Sequence, residues 1–106
     1  RALVNQPGLV LLDEPFGTLD QITRHRLHDE FARLHTEQGF AALMVTHAID
    51  EAVYLADRVV VMSQAPGRIV GEFAVPFART RVDSLRYSSE FGEVCGLIAR
   101  CLEAHA

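Results

Sequence analysis

The sequence contains no lysine; all ten of its basic residues are arginine. Loops that grip nucleotide phosphates combine glycine-rich backbone with a lysine ammonium, so these 106 residues cannot supply one. Tryptophan is also absent and aromatic residues make up only 8%. No stretch approaches the roughly eighteen consecutive apolar residues of a membrane span. No leader pattern is read at the start either, so a soluble, cytoplasmic chain is expected. Cysteine is limited to Cys95 and Cys101. Their spacing puts them on different faces of a helix, which argues for two small, partly buried side chains and against a disulfide or metal pair. The formal net charge of −4 offers no general attraction to nucleic acid or acidic lipid.

What is present is the balance of a globular protein: 49% hydrophobic and 23% charged residues. The length allows one domain at most, or part of one, with a modest core. Arg1-Ala2-Leu3-Val4 reads as the end of a helix, followed by a turn at Asn5-Gln6-Pro7-Gly8. Leu9 to Leu12 is an unbroken apolar run, as expected of a strand buried on both faces. Asp13-Glu14-Pro15 ends it, and residues 16–20 form a loop. Residues 21–38 are patterned as a helix, with Leu27, Phe31 and Leu34 on one face, Asp20 or Thr23 as its cap, and Gly39 at its end.

A second strand is expected over Phe40–Thr46, a short helix over Ile49–Ala56 and a third strand over Arg58–Ser63. In the short helix, Asp50 and Glu51 favour the dipole. After the turn Gln64-Ala65-Pro66-Gly67, a fourth strand over Arg68–Val75 should run antiparallel to the third. Residues 76–84 look irregular. Phe91, Val94, Cys95, Ile98, Cys101 and Leu102 then form a helical stripe. This order implies a largely parallel α/β sheet with helices packed on it and an antiparallel hairpin near its end. Residues 1–75 form the main unit and 76–106 an extension ending in an amphipathic helix.

The strongest chemical signal is Leu9-Val10-Leu11-Leu12-Asp13-Glu14. An apolar strand ends in two carboxylates at the edge where open α/β sheets bind ligands. Two adjacent acids there suit a Mg²⁺–nucleotide site, one facing the metal and the other orienting a water. The same run could also be a strand ending in solvent. His47, leaving the C-terminal end of a neighbouring strand, can reach that edge and place an imidazole donor on a transferring phosphoryl group. His25 and His28 share a helix face, but no third ligand is evident, and a solvated polar face is expected for them and for His35.

Leu11-Leu12-Asp13-Glu14-Pro15-Phe16-Gly17-Thr18-Leu19-Asp20 resembles the Walker B motif running into the D-loop of an ABC ATPase, a P-loop NTPase fold. Val45-Thr46-His47 with Asp50-Glu51-Ala52 resembles the family's H-loop and the helix after it, and Leu55 to Met62 its next strand. Phe16 resembles the family's importers, and the Gln64–Ile69 turn together with Asp50–Ala56, and Ser89-Glu90-Phe91 before a helix, are similar to the nitrate, sulfonate and taurine importer branch.

The resemblance implies that Asp13 binds Mg²⁺ through water and that Glu14 is the general base. His47 would contact the ATP γ-phosphate, and Asp20 would lie in the loop that crosses to a second ATPase subunit's nucleotide. It also implies a head-to-tail ATPase dimer working with transmembrane permease subunits and, indirectly, a substrate-binding protein. The location implied is peripheral, on the inner face of the cell membrane.

The Gly-rich Walker A loop, the glutamine loop and the Leu-Ser-Gly-Gly signature are not found. The expectation is therefore the C-terminal half of such an ATPase, binding ATP weakly or not at all by itself. An alternative is a non-catalytic α/β interaction module that pairs with another ATPase subunit. A soluble ABC ATPase of the translation or repair type is disfavoured by Phe16, by the Asp50-to-Met62 segment and by the lack of a basic patch.

Overall fold

The computed structural model describes residues 8–64, 67–78 and 81–105. The expectations for Arg1 to Pro7, and for Ala65 and Pro66 within their turn, lie outside the described residues. The elements follow the order β1 (Leu9–Asp13), α1 (Gln21–Gln38), β2 (Ala41–Val45), α2 (Ile49–Leu55), β3 (Arg58–Met62), β4 (Ile69–Ala74), a 3₁₀ turn (Asp83–Tyr87) and α3 (Ser89–Ala104).

Local chemistry sets the helix ends. Asp20 has extended backbone, and its carboxylate accepts from the Thr23 N–H at 3.1 Å, which starts α1. Gly39 stops the helix at φ 68°, a left-handed conformation that a side chain would oppose, and its N–H returns to the His35 carbonyl at 2.9 Å. Ser88 caps α3 by accepting from the Phe91 N–H at 3.2 Å, while its own hydroxyl donates to the Leu85 carbonyl at 2.9 Å.

The strands form two separate pairs where one largely parallel sheet was expected. β1 and β2 are parallel, in register from Leu9↔Ala41 to Asp13↔Val45. β3 and β4 are antiparallel, with a shift between Val61 and Met62. Apolar runs mark strands and their faces, but pairing partners are set by contacts distant in sequence.

β1 is likewise not buried on both faces. Val10 is buried, whereas Leu9 is 57% and Leu11 61% exposed. Leu43 and Val45 of β2, which the register places on the same side as Leu9 and Leu11, are exposed too. No described element covers this side.

The main core lies around the second pair. Val53 and Tyr54 of α2, Val59 and Val61 of β3, Val75, and Phe91 and Ile98 of α3 are buried together, with Val94, Cys95 and Cys101 packed against them. The stripe read for α3 thus faces the core, except Leu102, which is exposed. Both cysteines are free thiols, and burial pushes the Cys95 thiol above its ordinary pKa. α3 sits close on β4: a Cβ at Gly71 would lie 2.7 Å from Cys101 Sγ and 3.2 Å from Phe73 Cε1. Arg81 ties the segment before the 3₁₀ turn to the end of α2, donating to the carbonyls of Ala56 (2.7 Å), Phe77 (3.2 Å) and Ala78.

Candidate functional site

Parallel pairing of β1 and β2 brings their C-terminal ends to one edge. Asp13 is the last residue of β1, opposite Val45, and is exposed. Glu14 follows, its N–H donating to the Val45 carbonyl at 2.8 Å. Its φ of 49° is the one positive value among described residues other than glycine. That conformation turns the chain sharply out of the sheet and costs roughly 1–3 kcal/mol. Such strain persists only where surrounding contacts over-determine it.

Here those contacts include a hydrogen bond from the His47 backbone N–H to Glu14 Oε1 at 2.7 Å. Thr46 shapes the same turn, its Oγ1 accepting from the Ala48 N–H at 3.0 Å. Glu14 is therefore oriented through one carboxylate oxygen. Its other oxygen, Oε2, lies beside Gly17, where a Cβ would stand 3.4 Å away.

His47 reaches Glu14 through its backbone amide, while the residue itself is exposed. The amide contact has no signature in residue type and was not legible in sequence. Asp20 is not drawn into this cluster. Its carboxylate caps α1, and the hydrogen bonds with Thr23 hold its pKa below the usual value.

Among the described residues no group of three or more His, Cys, Asp or Glu side chains is arranged to hold an ion. An exposed carboxylate such as Asp13 nevertheless fits Mg²⁺, which takes one or two carboxylates and completes its shell with water and substrate phosphates.

One expectation fails outright. His28 does not lie on a solvated face; it is 2% exposed and its Nε2 lies 2.8 Å from Glu51 Oε2. Phe16 packs edge-on to its ring at 4.9 Å. His25 is half-buried beside it, with ring centroids 5.9 Å apart, and His35 is half-buried between Phe31 and Phe40. The rings at these positions pack along the inner side of α1, which is why a polar residue type misreported its surroundings. The available signal was position: His28 stands three residues before Phe31, within reach of the apolar stripe.

No family model matches the chain. Curated relatives do. The taurine import ATP-binding protein of Roseobacter denitrificans is 40% identical over 96 residues, 87% of this chain and 36% of the relative. An aliphatic sulfonates import ATP-binding protein of Xanthomonas axonopodis is 49% identical over 81 residues, 76% of this chain and 32% of the relative. A bicarbonate transport ATP-binding protein of Synechococcus elongatus is 42% identical over 94 residues, 86% of this chain and 14% of the relative. The chain thus spans about a third, or less, of the length of these relatives. Over the residues it shares with them, the chain is similar to the ATP-binding subunits of taurine, aliphatic sulfonate and bicarbonate importers.

Proposed function

We propose that this chain forms the hydrolytic edge of an ABC importer ATPase that serves uptake of a small anion such as taurine, a sulfonate, nitrate or bicarbonate. The observation that carries this reading is the His47 N–H to Glu14 bond, which joins the ends of two parallel strands at one edge. Glu14 is the general base: Oε1 is held by His47 and Oε2 is left to accept from a water aimed at the γ-phosphate. Asp13 would hold the Mg²⁺ of Mg–ATP, and the ion would supply neutralising charge to the phosphates. The exposed His47 imidazole contacts the γ-phosphate and the attacking water, and Asp20 lies in the loop that meets a second ATPase subunit.

These 106 residues lack any lysine, so the phosphate grip comes from elsewhere in the working protein and the isolated chain binds ATP weakly. Its partners are a second ATPase subunit and permease subunits at the inner face of the membrane, with a substrate-binding protein delivering the anion. The test is Glu14→Gln in the full-length subunit. ATP turnover should fall by about 10²-fold or more while Mg–ATP binding is kept. Turnover within threefold of wild type would remove Glu14 from the role of base.

A further inference from the structure

A second polar cluster, made of side chains other than those of the hydrolytic edge, joins α1 to α2 and to the 3₁₀ turn. At its centre are His28 and Glu51, both essentially buried. Arg86 of the 3₁₀ turn closes it. Arg86 Nη2 lies 3.3 Å from His28 Nδ1 and donates to the His25 carbonyl at 3.2 Å, and the guanidinium sits 3.7 Å over the Tyr54 ring. Asp83 at 3.1 Å and Asp29 at 3.6 Å balance its charge, and the Tyr54 hydroxyl donates to Asp29 at 2.6 Å.

The chemistry of these groups fixes a direction. Guanidinium can only donate, so His28 Nδ1 must accept and its hydrogen resides on Nε2. Nε2–H then donates to the Glu51 carboxylate at 2.8 Å. The imidazole is neutral in this arrangement.

The cluster also sits at a mechanically sensitive point. α2 has only seven residues, too few to hold a helix without tertiary contacts. One of its sides is fixed by the buried Val53 and Tyr54, and its polar side by Glu51. His47 lies just before this helix, and α1, which carries His28, begins at Asp20.

We propose that Arg86, His28 and Glu51 form a directional hydrogen-bond relay that positions α2, and through it His47, against Glu14. Its catalytic consequence rests on the hydrolytic reading above; its structural content does not. These are positioning residues, remote from the reacting atoms. Small displacements of a positioned group cost roughly ten- to a hundredfold in rate.

The experiment compares His28→Leu and His28→Gln with wild type in the full-length protein, by imidazole ¹⁵N shifts, amide exchange at His47 and ATPase kinetics. Expected are a proton on Nε2 in wild type and, in His28→Leu, about tenfold faster His47 exchange. In the same variant kcat should fall roughly tenfold or more with KM for ATP nearly unchanged. Glutamine, which can accept from Arg86 and donate to Glu51, should restore both readouts.

A proton on Nδ1, unchanged His47 exchange in His28→Leu, or failure of Gln to rescue would each overturn the relay. Should His28→Leu not fold, Arg86→Met should speed His47 exchange while Glu51→Gln, which keeps an acceptor, should not; the reverse order overturns it. A wild-type protein without ATPase activity would remove the hydrolytic reading, and the exchange and ¹⁵N results would still decide the relay.

Discussion

Glu14 carries two demands at one position. Its backbone stands at φ 49°, where a side chain is strained, and its carboxylate is held by the His47 amide. A glycine would relieve the first and abolish the second, so backbone comfort and a placed carboxylate exclude each other here.

His28 shows the complementary case, a titratable group whose protonation the fold opposes. Burial is the main cause of its lowered pKa, reinforced by the Arg86 and His25 charges and partly offset by Glu51. The unfolded chain therefore binds a proton more readily than the native one. The stability this provides is fully present above the unfolded value of about 6.5, and it is lost as pH falls from there toward the lowered native value. Urea midpoints should accordingly drop between pH 7.5 and pH 5.5, and His28→Gln should flatten that decline. An equally steep decline in the glutamine variant would assign the effect to other groups.

The three α-helices differ in what defines them. α1 is written locally, by the Asp20 cap, the Thr23 amide and Gly39. α3 has an equally local start at Ser88 and an apolar stripe that buries Phe91 and Ile98. Ser88→Ala removes an acceptor for the Phe91 N–H and a donor to Leu85, which should cost about 1 kcal/mol. A thermal melt followed by circular dichroism should show Tm lowered by roughly 4–8 °C, with Ser88→Asp recovering part of it. An unchanged Tm would mean that the cap contributes nothing.

The Asp20 cap, the Gly39 stop, the strand runs and the β3–β4 hairpin were legible in sequence, because each follows from short-range patterns, and the approach of residues 13, 14 and 47 to one edge was expected from the strand order and the family resemblance. Three things were not, the His47 amide contact to Glu14 among them. The division into two strand pairs depends on partners distant in sequence. The burial of His28, Glu51 and Arg86 also escaped, since three polar residue types read singly as surface and become interior only by satisfying one another.

At the scale of the molecule, apolar burial is unevenly distributed. The core shared by α2, β3, β4 and α3 is closed. The β1–β2 pair presents Leu9, Leu11, Leu43 and Val45 to solvent on one side, each more than half exposed. Contiguous apolar sheet surface of this kind drives association, and a net charge of −4 gives little repulsion to oppose it. Sedimentation of the 106-residue chain should show concentration-dependent self-association, suppressed by the pair Leu11→Glu and Leu43→Glu. A monodisperse monomer at every concentration would count against it.

The same bare side has a meaning inside a cell. Chaperones and proteases triage chains by the hydrophobic surface they leave open. An uncovered side of this kind should shorten the lifetime of these residues in vivo, and covering it should raise their abundance.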